Sequence, residues 1–302
     1  MTSLSSPGHR IGIDLGGTKI EGIVLDPAGQ VVHRHRMATE SGRGYEHILS
    51  RIEAVVERCR QVAPECTTVG IGTPGAVRAD GTMKNCNTTC LNGRRLFDDL
   101  TRRLGVKVCI ENDANCFALA EAVAGAGRGA PLVFGVILGT GVGGGIVYRG
   151  EMRRGLQGIA GEWGHHGIDP AGPECYCGQR GCVERWIAGP AIEAHYAALA
   201  GLTATVPRIV EAFRAGEPVA TQVMRRFIDL FGRAMANVIA ILDPDVIVLG
   251  GGLSRIDELY TLGREAIAGY VFNDELRTPL RRNRLGDSAG VIGAAMLVAA
   301  PG

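Results

Sequence analysis

Twice along this chain of 302 residues, an apolar strand runs into a glycine-containing turn and comes straight back as a second strand. The first pass is Ile11–Leu15, the turn Gly16-Gly17-Thr18-Lys19, and Ile20–Leu25, with Asp26–Gly29 turning into a third strand at Val31–Arg36. The second is Leu132–Leu138, the turn Gly139-Thr-Gly-Val-Gly-Gly-Gly, and a return strand at Ile146–Tyr148. Each pass is followed by a further buried strand ending in a turn, Val69-Gly-Ile-Gly-Thr-Pro-Gly and then Val246-Ile-Val-Leu-Gly-Gly-Gly. The echo lies in the order of elements more than in residue identity. Helical spacing of apolar residues marks 44–62, Phe97–Leu104, a segment from Asp113, then 189–199, 205–214, 219–242, 257–270 and 288–299. That order predicts two related α/β halves with a cleft between them.

Both glycine turns join strand to strand, whereas a P-loop or dinucleotide fingerprint leads from strand to helix. A hairpin whose Gly16 and Gly17 expose N–H groups, flanked by Thr18 and Lys19, can still cradle phosphate. Asp14 at the strand end can hold Mg²⁺ through water. An ordinary hairpin accounts for one such turn, but less easily for two, Gly139-Thr140-Gly141 being the second. Gly250-Gly251-Gly252 leaves room either for a flat base or for close helix–strand packing.

Cys175, Cys177 and Cys182 fall within eight residues, with His165-His166 upstream and Glu162 and Glu184 at either side. Thiolates plus one imidazole make a closed tetrahedral zinc site. Spacing alone does not choose between His165 and His166. The other six cysteines are scattered, several among apolar neighbours, and read as reduced core residues; Cys86 and Cys90 are taken as packing. The N-terminus lacks an apolar run of signal-peptide length, and no stretch is apolar enough to span a bilayer. A cytoplasmic protein is expected. A net charge of +1 gives no electrostatic case for nucleic acid or an anionic membrane.

Glu111-Asn112-Asp113 ends a strand, Val106–Ile110, and opens a helix. Asp113 reads as an N-cap, or as a general base taking the proton of a substrate hydroxyl, with Asn112 and Glu162 gripping neighbouring hydroxyls. Capping lowers a carboxylate's pKa, but phosphoryl transfer tolerates a weak base because positioning and charge stabilisation dominate it.

Asp14-Leu-Gly-Gly-Thr-Lys, Gly72-Thr-Pro-Gly75, Glu111-Asn-Asp-Ala-Asn115, Gly139-Thr-Gly-Val-Gly-Gly-Gly145, Gly161-Glu-Trp-Gly-His165, Cys175-x-Cys-Gly-x-x-Gly-Cys-x-Glu184 and Asp243-Pro-Asp … Gly252 together resemble the ROK family of bacterial sugar kinases and sugar-responsive repressors. The resemblance implies the actin-like ATPase (ribonuclease H-like) fold. One α/β domain would span 10–112, completed by the helix 288–299, and the other 113–287, with the zinc loop at 162–184. It implies ATP, Mg²⁺ and a structural Zn²⁺ held by His165, Cys175, Cys177 and Cys182. Asp113 becomes the general base, and Gly75, Asn112, Glu162, His165 and Glu184 the sugar ligands, His165 serving zinc and sugar with one ring nitrogen each. Gly12 to Lys19 and Gly139 to Ile146 become the phosphate-binding segments. Lys84 to Gly93, in which Asn87 is a candidate sugar contact, and Leu285 to Ala294 look most like fructokinases of the manno(fructo)kinase type. They make fructose the expected substrate, with an N-acetylhexosamine, glucose or mannose as the alternative. A homodimer follows family habit. A repressor is disfavoured because about ten residues precede Ile11 where repressors of the family carry a helix-turn-helix domain.

Overall fold

The computed structural model describes residues 8–298 apart from 79 and 87, so Asn87 lies outside the described residues. In chain order it runs β1 (Arg10–Leu15), β2 (Lys19–Leu25), β3 (Val31–Ala38), α1 (Tyr45–Arg60), β4 (Thr68–Thr73), β5 (Ala76–Val77), β6 (Met83–Lys84), α2 (Leu96–Leu104), β7 (Lys107–Asn112) and α3 (Asp113–Val123). Next come β8 (Leu132–Leu138), β9 (Val142–Tyr148), β10 (Glu151–Met152), α4 (Glu184–Ile187), α5 (Gly189–Ala200), α6 (Val206–Arg214), α7 (Pro218–Leu242), β11 (Val246–Gly250), α8 (Leu262–Ala268), β12 (Leu280–Arg282) and α9 (Ala289–Met296).

The echo in the sequence is a repeated topology. The first sheet has the order β3-β2-β1-β4-β7 and the second β10-β9-β8-β11-β12. In each, three strands form an antiparallel meander and two more are added parallel to the first of them. The chain groups into two compact units. One runs to Glu121 and takes in Arg154–Ile159 and the chain from Leu285; the other comprises Ala122–Arg153 and Ala160–Arg284.

In the first unit, strand alternation sends Ile11 and Ile13 to one face of β1 and Gly12 to the other. The isoleucines meet the apolar stripe of α1, where Ile48, Ile52, Val55 and Val56 are buried. On the opposite face α9 lies almost on the backbone. A Cβ at Gly70 would stand 1.8 Å from the Ala294 carbonyl oxygen, and one at Gly12 2.4 Å from that of Val291. Gly70→Ala is therefore expected to destabilise the protein by about 1–3 kcal/mol, the range for overpacking a core, seen as a lower urea midpoint. An unchanged midpoint would show that α9 can lift without cost. Gly293 makes the same approach to α3, its missing Cβ falling 1.8 Å from the Cys116 carbonyl. The residues of α3 up to Glu121 group with the first unit.

The second unit is built on β8 and β11, whose Val136, Leu138, Ile247 and Leu249 pack with Phe227, Ile228 and Phe231 of α7. The 25-residue α7 has Pro218 in its first turn, and the Glu217 carboxylate accepts the N–H groups of Val219 and Ala220. The helix expected over 257–270 is shorter, α8 covering Leu262–Ala268 after two 3₁₀ turns. No helix among the described residues is long and apolar enough to cross a membrane.

Candidate active site

In the first unit, the β1–β2 turn is tight: Gly16 N–H donates to the Lys19 carbonyl at 3.0 Å, and Thr39 Oγ1 donates to the Gly16 carbonyl at 2.7 Å. The expectation that Gly16 offers its N–H to phosphate is thus replaced: that group closes the turn, and Gly17 and Thr18 are the exposed residues at its tip. Gly12, one of the expected nucleotide glycines, is buried beneath α9 and acts in packing. Lys19 Nζ stands 3.6 Å from the buried carboxylate of Glu21, which also pairs with Arg34 and Arg36. Asp14 lies at the end of β1 with glycines, Gly72 and Gly290, on two sides of its carboxylate. Burial first, then the Asp113 and Glu21 carboxylates, push Asp14 up to about 7, with Lys19 opposing. Crowded carboxylate oxygens of this kind suit a hard divalent cation, and that donor set fits the Mg²⁺ implied by the resemblance.

At the junction of β7 and α3, the cap is Asn112 and not Asp113. Asn112 Oδ1 accepts the N–H of Ala114 at 2.9 Å and that of Asn115 at 3.4 Å. Its Nδ2 donates to the Gly75 carbonyl at 3.0 Å, which brings two expected sugar residues together. Gly75 has φ +79°, and a Cβ there would meet the Lys84 carbonyl at 2.4 Å, so only glycine fits. Asp113 Oδ1 accepts the Ala114 N–H at 2.8 Å. Glu111 braces the junction: one oxygen accepts from Asn112 N–H and Asn115 Nδ2, and the other pairs with Arg154 at 2.5 Å. The Arg154 pair has no signature in the sequence. Cys86 is buried against the Pro74 carbonyl, and burial raises its thiol to about 12, as befits an inert packing cysteine.

In the second unit, β9 starts at Val142, so Gly143 to Gly145 lie in the strand and not in the turn expected for them. Trp163 is the reason. Its Nε1 donates to the Gly143 carbonyl at 3.0 Å, and a Cβ on Gly144 would come within 2.6 Å of the indole. Gly164 must also be glycine, since its Cβ would fall 2.1 Å from the Val142 carbonyl. The 3₁₀ turn at Trp163–His165 is thereby pressed onto β9, with Glu162 at its start and His165 at its end. Gly139, Thr140 and Gly141 remain as the turn itself. Of the later glycine run, Gly251 is forced by packing: its φ is +79° and its Cβ would lie 2.3 Å from the Leu138 carbonyl. Gly250 is the buried last residue of β11, and only Gly252 has open space around it.

His165, Cys175, Cys177 and Cys182 bring their ligand atoms within 4.8 Å of one another. Cys175 Sγ is 3.5 Å from His165 Nδ1, and Cys177 and Cys182 sulfurs are 3.6 Å apart, close to the separation of about 3.8 Å that tetrahedral Zn–S bonds of ~2.3 Å impose. These residues fit Zn²⁺. His166 turns away, its Nε2 3.4 Å from Asn237 Nδ2, so geometry selects His165. His165 Nε2, the nitrogen expected to face sugar, meets the Tyr176 hydroxyl at 3.0 Å, a partner the sequence reading missed although Tyr176 sits between two ligands. Glu184 accepts the Val142 N–H on Oε2 at 2.9 Å.

Comparison with known proteins gives concordant results. A model of the ROK family matches residues 10–300. The N-acetylgalactosamine kinase AgaK of Shewanella sp. (strain ANA-3) is 37% identical over 294 residues, covering 95% of this chain and 95% of that protein. The N-acetyl-D-glucosamine kinase of Pectobacterium atrosepticum is 38% identical over 297 residues, covering 95% and 97%. Among solved structures, the ROK hexokinase from Thermus thermophilus aligns with TM-score 0.88 and 33% identity over 96% of this chain and 97% of that one.

Proposed function

The chain belongs to the ROK family and is an ATP-dependent sugar kinase, and on that premise we propose that its substrate is an N-acetylhexosamine. What supports this reading is the pair of relatives named N-acetylgalactosamine and N-acetyl-D-glucosamine kinase, similar over 95% of the chain. The fructose preference expected from the sequence has no such support and gives way to its alternative.

The reaction follows from the residues. Asp113 accepts the proton of the sugar hydroxyl as that oxygen attacks the γ-phosphoryl group of ATP. Asn112, fixed by its bonds to Ala114 and the Gly75 carbonyl, presents its amide to an adjacent hydroxyl. Gly17 and Thr18 at the tip of the first hairpin face phosphate with N–H and hydroxyl groups. In the other unit, the turn Gly139 to Gly141 offers backbone in the same way, and Glu162, His165 and Glu184 are the sugar-binding groups. Asp14 would hold Mg²⁺, which neutralises phosphate charge when bound. His165, Cys175, Cys177 and Cys182 would hold Zn²⁺ in a purely structural role, because four protein donors leave no open position.

ADP release measured across N-acetylglucosamine, N-acetylgalactosamine, N-acetylmannosamine, glucose, mannose and fructose tests the substrate. An N-acetylated sugar is expected to exceed fructose in kcat/KM by about tenfold or more, the discrimination that one well-placed substituent supplies. Fructose as the best substrate would refute the proposal and leave the kinase assignment in place.

A further inference from the structure

We propose that Glu184 is a positioning residue for the nucleotide hairpin, so that one side chain ties the sugar site to the phosphate site. The proposal rests on the reading of Gly139 to Gly141 as a phosphate-binding turn and of Glu184 as a sugar ligand. Its basis is the way the turn is held from outside its own strands. Glu184 Oε2 accepts the Val142 N–H at 2.9 Å on one side of the turn. On the other side, Gly189 N–H donates to the Gly139 carbonyl at 2.8 Å. Both grips come from the stretch that opens α4 and α5, immediately after the metal ligand Cys182. The fit is close: a Cβ on Gly141 would stand 2.7 Å from Glu184 Oε2.

A carboxylate has two oxygens. With Oε2 committed to the hairpin, a sugar hydroxyl is left Oε1, and whatever orients the carboxylate for one ligand orients it for the other. With one carboxylate shared, a change on the hairpin alters sugar affinity and a change at Glu184 alters nucleotide affinity, each measurable with the other ligand absent. A residue that only binds sugar lacks the second property.

The test uses isothermal titration of the zinc-loaded full chain, with zinc content and thermal midpoint confirmed for every variant. Glu184→Ala, titrated with a non-hydrolysable ATP analogue and Mg²⁺ and no sugar present, is expected to raise the analogue Kd about fivefold, the worth of one buried hydrogen bond. Gly141→Ala, titrated with N-acetylglucosamine and no nucleotide present, is expected to raise the sugar Kd by a similar factor. This second variant leaves Glu184 intact and serves if Glu184→Ala folds poorly. An unchanged analogue Kd in folded Glu184→Ala, or an unchanged sugar Kd in Gly141→Ala, overturns the proposal alone. A wild-type chain that bound no analogue would overturn the kinase reading and the proposal together.

Discussion

Asp113→Asn is expected to lower kcat by about three orders of magnitude, within the range that a lost general base costs, while leaving the fold intact. The fold survives because Asn112 supplies the cap of α3, and an asparagine at 113 still offers an oxygen to the Ala114 N–H. The stability readout separates a catalytic role from a structural one. In the wild type, Asp113 is one of the carboxylates that raise Asp14. A raised carboxylate pKa means that the ionised form is disfavoured in the folded state, so the strain exists where Asp14 is charged, above about 7, and fades as pH falls below it. Removing the Asp113 charge should therefore raise the thermal midpoint at pH 8 and have a smaller effect at pH 6. A purely structural aspartate would show the opposite, a lower midpoint with turnover retained in whatever remains folded. Near-normal kcat in a folded variant would remove Asp113 from the mechanism.

The second large effect is expected from the metal cluster. Cys182→Ala, at a fully buried ligand, should lose zinc, lower the thermal midpoint and weaken sugar binding by about tenfold or more, the loss typical of disturbed metal-site geometry. The loop contains no helix or extended strand between His166 and Val183. Isolated bridges pair Gly167 with Cys182 and Glu174 with Arg180, and Gly178 and Gly181 stand at positive φ in its turns. The histidine pair sharpens the test. His165→Ala should match Cys182→Ala, whereas His166→Ala, whose ring faces Asn237, should keep both zinc and sugar affinity. Active protein purified with no zinc would end the structural-metal assignment.

Much of this was legible because it depends on local pattern. Strands bracketing a glycine turn declare a hairpin, and Cys-x-Cys-Gly-x-x-Gly-Cys declares a metal loop, since the neighbours that matter are adjacent in the chain. What was misread depends on partners far away. Gly143 to Gly145 look like turn residues until Trp163 is laid across them, and Asp113 looks like the cap until the Asn112 side chain is placed. Gly293 looks like any small helical residue until α3 is laid against it. The fructose expectation rested on segments of this second kind. In the two stretches that suggested it, the Asn92 side chain accepts the Cys86 N–H and donates to the Cys86 carbonyl, and Ala289 to Ala294 lie in α9, which packs on β1 and β4. Shared packing accounts for a likeness at these positions without reference to the sugar.

The dependence of the first unit on α9 also sets an order of events during synthesis. Gly12 and Gly70 are shaped for a helix that emerges only after the whole of the second unit has been made. Domains on a growing chain usually fold as they appear, the N-terminal one first. Here the first unit is completed last. The second unit has its own sheet and core available by Arg284, while the first carries an uncovered sheet face until Ala289–Met296 leaves the ribosome. A nascent chain stalled before that helix holds an apolar surface in waiting, and this is the interval in which a chaperone has most to protect.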